Sequence, residues 1–218
     1  MSEPDVALTD YGLAIECALF VYLLQRRGRA TAPLGAWLLL FFGSIGVASL
    51  AGGTVHGFFQ EAGTTEWKVL WGIALVAIGA TALAGWAIGA GLLFPTPTAR
   101  RIQVAAGVAF AGYCALVLLV THDFRAALVF YLPAALFLFG ALCLAYVRGR
   151  DGRILVALLG LGLTFIAAVV QQGRIAPHPR FNHNALYHVI QALALWLLFL
   201  GLRSIATIGA DRREGFVR

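Results

Sequence analysis

Charge is scarce in this chain, and lysine is nearly missing. Charged residues are 12% of 218 positions, and Lys68 is the single lysine. A soluble domain carries about 25% charged residues, so the shortage excludes a soluble domain of any size. Cysteine is also sparse: Cys17, Cys114 and Cys143 stand one by one inside apolar runs. That spacing excludes a CxxC metal motif and a disulfide framework, and leaves three small packed hydrophobes. The first ten residues hold Glu3, Asp5 and Asp10 and no basic residue. A secretory signal needs a positive start, so the first apolar run is expected to stay as a membrane helix.

What the chain has in abundance is apolar sequence, 61% of its residues. Runs long enough to cross about 30 Å of hydrocarbon at about 1.5 Å per residue recur along its length. They fall near 6–25, 34–59, 67–94, 102–121, 125–147, 154–172 and 183–208. The breaks are short. The third is Pro95 to Arg101, where proline removes a donor and favours a stop, and Pro133 lies inside the fifth run, where it is expected to kink the helix. Gly/Ala stretches such as Gly89-Ala90-Gly91 allow helix backbones to approach closely. The expected fold is all-α, a single seven-helix membrane bundle spanning residues 1–218.

The basic residues give the bundle a direction. The odd loops, the tail and Arg203 hold twelve: Arg26, Arg27, Arg29, Arg100, Arg101, Arg148, Arg150, Arg153, Arg203, Arg212, Arg213 and Arg218. The N-terminus and the even loops hold four: Lys68, Arg125, Arg174 and Arg180. Positive residues favour the cytoplasmic side, so the N-terminus is expected outside and the C-terminus in the cytoplasm. The net charge of +6 thus anchors topology, and a nucleic-acid partner is excluded. Low lysine with abundant Ala, Gly and Arg suits a GC-rich bacterial genome, hence a multi-pass protein of a bacterial inner membrane.

All five histidines (His56, His122, His178, His183 and His188) then fall on the outer side. His122 and His178 sit in short loops and read as solvated. His56 ends the second span, and His183, Asn184 and His188 open the seventh. Asn184 and His188 are four apart and share a helix face, about 40° apart, while His183 and His188 diverge by about 140°. Zinc with an open position takes three protein ligands plus water. His56, His188 and His183, with Asn184 as a substitute ligand or water anchor, could supply them. Glu66, where the third span begins, could serve as general base toward the water. Gly52 is one turn before His56 and Ser49 two turns before it. Glu16, halfway along the first span, is a functional candidate by its depth alone. The bland alternative makes these histidines interfacial residues with no metal.

This arrangement resembles the CREST superfamily of seven-helix membrane hydrolases, which includes alkaline ceramidases and the adiponectin-receptor (PAQR) group. That family carries a histidine late in helix 2, matched by His56, and a His-x-x-x-His pair early in helix 7, whose second member is matched by His188. Asn184 stands at the first position of the pair. Gly52 stands where the family has a serine, with Ser49 one turn further back, and Glu66 approximates the family's aspartate. The resemblance implies a zinc-dependent hydrolase of lipid amides with a membrane lipid as substrate, Ser49, Asn184 and Glu66 completing the site. Two other readings stay open: a lipid or small-molecule binder, sensor or transporter of the same fold, and a haem b protein with His56 and His188 as axial ligands.

Overall fold

The computed structural model describes residues 2–26, 28, 32–178 and 181–205. Arg27, Arg29, Pro179, Arg180, Arg212, Arg213 and Arg218 lie outside the described residues, as does the stretch 206–208 of the expected seventh span. The described chain forms seven helices: α1 (Pro4–Arg26), α2 (Gly35–Phe58), α3 (Thr65–Leu93), α4 (Thr96–Leu119), α5 (Phe124–Gly149), α6 (Gly152–Gln172) and α7 (His183–Ile205). All seven are long and apolar enough to cross a membrane. The chain is a multi-pass membrane protein.

Six of the helices start within two residues of the sequence expectation, and α4 does not. It begins at Thr96, ahead of the expected 102, with Pro97 in its first turn. A proline there gives up only an N–H that the first turn would leave unpaired. The run from Thr96 to Arg101 is thus helix, and the expectation of a loop there is corrected. Helix α5 continues through Pro133. Short polar side chains cap several starts: Thr64 accepts from the Trp67 N–H, Asp123 from that of Arg125 and Asp151 from that of Arg153, each pairing one orphan donor.

Helices α1, α2, α3, α5, α6 and α7 follow one another round a ring, closed by α1 against α7. Helix α4 stands outside the ring on α3, with its Tyr113 ring stacked on Phe130 of α5. The closest seam is α6–α7. A methyl added at Gly160 would lie 2.6 Å from the Leu198 nitrogen, and one at Gly201 would lie 2.5 Å from that of Ala157. Only glycine lets these two backbones meet. The α1–α2 seam uses Gly46 against Cys17 and Gly53 against Asp10 and Ala7. Lower in the ring, Phe20 stacks on Phe199 at 4.2 Å and meets Phe42 edge-on at 5.3 Å. That aromatic cluster joins α1, α2 and α7 beneath the polar end of the bundle.

Candidate functional site

The strict alternation of helix direction puts all five histidines at one end of the bundle, here termed the histidine end. The start of the chain and the entry to α7 build its first polar layer. The Ser2 and Glu3 amides donate to the carbonyls of Gly57 and His56, which docks the start of the chain on the close of α2. The Glu3 Oε2 lies 2.7 Å from His56 Nδ1 and accepts from Gln60 Nε2 at 2.8 Å. Asn182 caps α7 by accepting from the Asn184 and Ala185 amides, and its own N–H donates to Asp5 Oδ2 at 2.9 Å. Helix α1 is thereby pinned to α2 on one side and α7 on the other.

One turn deeper lies the most enclosed polar group of this end. Asp10 is 6% exposed and His188 8%, and His188 Nε2 stands 3.3 Å from Asp10 Oδ1. The other ring nitrogen, Nδ1, lies 3.0 Å from Thr9 Oγ1. Thr9 Oγ1 also lies 2.9 Å from the Asp5 carbonyl and 3.0 Å from that of Val6. Gly53 makes room for Asp10, since a methyl there would meet the Asp10 Cβ at 2.8 Å.

Hydrogen-bond directions restrict the His188 tautomer. A hydroxyl has one hydrogen, and a neutral imidazole carries one on either nitrogen. If Thr9 donates to a backbone carbonyl, Nδ1 must carry hydrogen and donate to Oγ1. Nε2 then faces the Asp10 carboxyl at 3.3 Å without a ring hydrogen of its own unless the imidazole is charged. If Thr9 donates to Nδ1 instead, Nε2 carries the ring hydrogen on the side of Asp10. The direction of the Thr9 hydroxyl thus governs how the ring meets the carboxyl.

The residues anticipated from the sequence take different hydrogen-bond neighbours. His56 and His188 each have Nδ1 engaged, by Glu3 and by Thr9. His183 opens α7 half-buried, and Asn184 turns to α6, accepting from Gln171 Nε2 at 3.2 Å. Asn184 and His188 thus share a helix face by angle but serve different neighbours. Glu66 is exposed in the first turn of α3, and Ser49 is buried in α2. Among the described residues, no three His, Cys, Asp or Glu side chains converge as a set for a metal ion. His178 is exposed, whereas His122 is half-buried with its ring 5.9 Å from that of Trp67. Glu16 keeps one carboxylate oxygen buried with no hydrogen-bond partner among the described residues.

Sequence reasoning passed over Asp10, Thr9 and Glu3. A signal was present: Glu3, Asp10 and Cys17 recur every seven residues, the spacing of one helix face, and Asp10 falls inside the first apolar run.

No curated protein and no solved structure matches the chain significantly. A family model described as a family of unknown function (DUF6962) matches residues 6–207, a stretch that takes in Asp10, His56 and His188 and leaves out Glu3. On that match, the chain belongs to the DUF6962 family.

Proposed function

We propose that this protein hydrolyses a membrane lipid amide by acid–base chemistry at Asp10 and His188, with the histidine end outside the cell. One observation carries the proposal: the 3.3 Å approach of His188 Nε2 to Asp10 Oδ1 within the bundle. Ionisable residues at membrane depth are costly and mark functional sites by default. Amide hydrolysis needs a base to take a proton from water and an acid to give one to the departing amine. An imidazole beside a carboxyl can take up a proton and then return it, serving both steps in turn. In this reading His188 exchanges the proton, Asp10 holds and balances the ring, and Thr9 sets its orientation. The outward placement rests on the twelve-to-four division of basic residues and on the positive-inside tendency.

Zinc belongs to this proposal through the same side chains. His188 and Asp10 are two suitable donors side by side, and His56 is the nearest candidate for a third on α2. Glu3 on His56 and Thr9 on His188 each engage Nδ1, as orienting partners of ligating imidazoles do, and His188 Nε2 faces Asp10, so that the two would hold a zinc ion together. The fit thus extends to two adjacent donors with the third apart. A bound zinc would supply a Lewis acid and a hydroxide near neutral pH.

The test pairs activity with metal content. Purified protein in lipid vesicles is offered a radiolabelled long-chain N-acylamine, and fatty acid release is followed for wild type, Asp10→Asn and His188→Gln. Release by wild type and its loss in both variants is the expected result. Zinc near one per chain by plasma mass spectrometry, absent from the variants, would add the metal. Undiminished release from either variant would sink the acid–base assignment.

A second reading is a binder or sensor of the same fold, and the burial of the Asp10–His188 pair favours it. A tightly retained lipid with no turnover would be its mark. The haem reading gains nothing from this geometry, because both ring nitrogens of His188 already face partners, Thr9 and Asp10.

A further inference from the structure

Away from this site, a long apolar groove of about 950 Å³ opens on the flank of the bundle between α2, α3 and α4. It exists because α4 sits on α3 and leaves α2 uncovered, and because small residues, Gly43, Gly72, Ala77 and Ala80, floor the wedge. Its walls include Val47, Val69, Ile73 and Leu118, all well exposed. In a multi-pass protein such a groove faces the bilayer, so hydrocarbon fills it. The open question is whether the groove chooses which lipid.

Charge at its mouth answers that question. Lys68 and His122 are the only ionisable residues in the lining, and both stand at the histidine end. Lys68 is exposed and forms no ion pair among the described residues. Beside it, Trp67 stacks on Trp71, and the Trp71 Nε1–H donates to the His122 carbonyl at 2.8 Å. Tryptophans of this kind settle at headgroup level, which puts the Lys68 ammonium among the headgroups. Glu66 and Asp123 lie nearby in the chain but do not line the groove. Along α3 the groove runs from Lys68 to Ala80, about 18 Å at about 1.5 Å per residue. One leaflet's hydrocarbon is about 15 Å deep, so the trough has the length of a single acyl chain.

We propose that this groove is a lipid site that holds one acyl chain of an anionic phospholipid from the leaflet at the histidine end, with the phosphate paired to Lys68. The site is separate from Asp10 and His188 and does not depend on any hydrolysis there.

Native mass spectrometry of the full chain, with phosphatidylglycerol and phosphatidylcholine of matched chains offered in equal amounts, tests the proposal. Wild type is expected to retain the anionic lipid about fivefold better, the size of one basic contact at a charged surface. Lys68→Gln should bring the two lipids to parity, and Lys68→Arg should restore the preference. Ala80→Phe, which fills the floor from a half-buried position, should lower retention of both lipids. No preference in wild type, or one unchanged in Lys68→Gln, would overturn the headgroup contact. Full retention in Ala80→Phe would overturn the placement of the chain in the groove.

Discussion

His188 on the last helix reaches to 3.3 Å from Asp10 on the first, and its other nitrogen rests 3.0 Å from Thr9. The two sides of the pair are not equally replaceable. Removing His188 leaves the buried Asp10 carboxyl without its neighbour, and an unsatisfied buried polar group costs about 1–3 kcal/mol. His188→Ala is therefore expected to destabilise by that amount. Asp10→Asn keeps shape and hydrogen-bonding capacity and should cost clearly less. Thermal unfolding in detergent decides, and equal losses in both variants would contradict the pairing.

Glu3 and His56 form a different kind of contact. Their side chains are 35% and 28% exposed, and water-accessible pairs contribute about 1 kcal/mol or less. Glu3→Gln should hardly move the unfolding temperature. Under the zinc proposal it should still weaken metal retention by about 10–100-fold, as loss of a partner behind a ligating imidazole does. Equilibrium dialysis against a chelator measures this.

The α6–α7 seam should tolerate almost no added volume. At Gly201 the obstructing atoms are the Ala157 nitrogen and the Arg153 carbonyl oxygen, neither of which can rotate away. Gly201→Val is expected to cost about 1–3 kcal/mol or more by overpacking. The same change at Gly112, where nothing lies within 4 Å, should leave packing unaltered. Comparing the two in a thermal shift assay separates crowding from general effects of valine.

Asp151 supplies a pH-dependent test outside the spans. It caps α6, and its hydrogen bonds from Arg153 hold the carboxyl below the usual carboxylate range. A lowered folded value means that its contribution is complete above the unfolded carboxyl's pKa, about 3.9. The contribution drains as pH falls through the lower folded value. Asp151→Ala should cost about 1 kcal/mol near neutrality, as caps do. It should cost progressively less in acid, read from melting temperatures across pH.

Hydropathy made the helices legible because a membrane span needs only length and apolar content, and both are local properties. The miss at α4 was local too: Pro97 looked like a break but occupies the one turn where proline costs nothing. The site was legible only in part. His56 and His188 stood out by residue type, whereas Asp10 was hidden among the acidic residues of the first ten. Its meaning depends on which helices adjoin α1, and no spacing rule reveals that α1 closes on α7. Asn184 shows the same limit: its helical angle was readable, whereas its partner, Gln171, is set by the α6 seam.

Closure of the ring by its first and last helices also imposes an order in time. At about 5–20 residues per second, His188 leaves the ribosome roughly ten to thirty-five seconds after Asp10. Throughout that interval the Asp10 carboxyl lacks the His188 imidazole and has the glycine face of α2 beside it. The site comes into being only when synthesis is nearly over, so a chain cut short before α7 cannot assemble it.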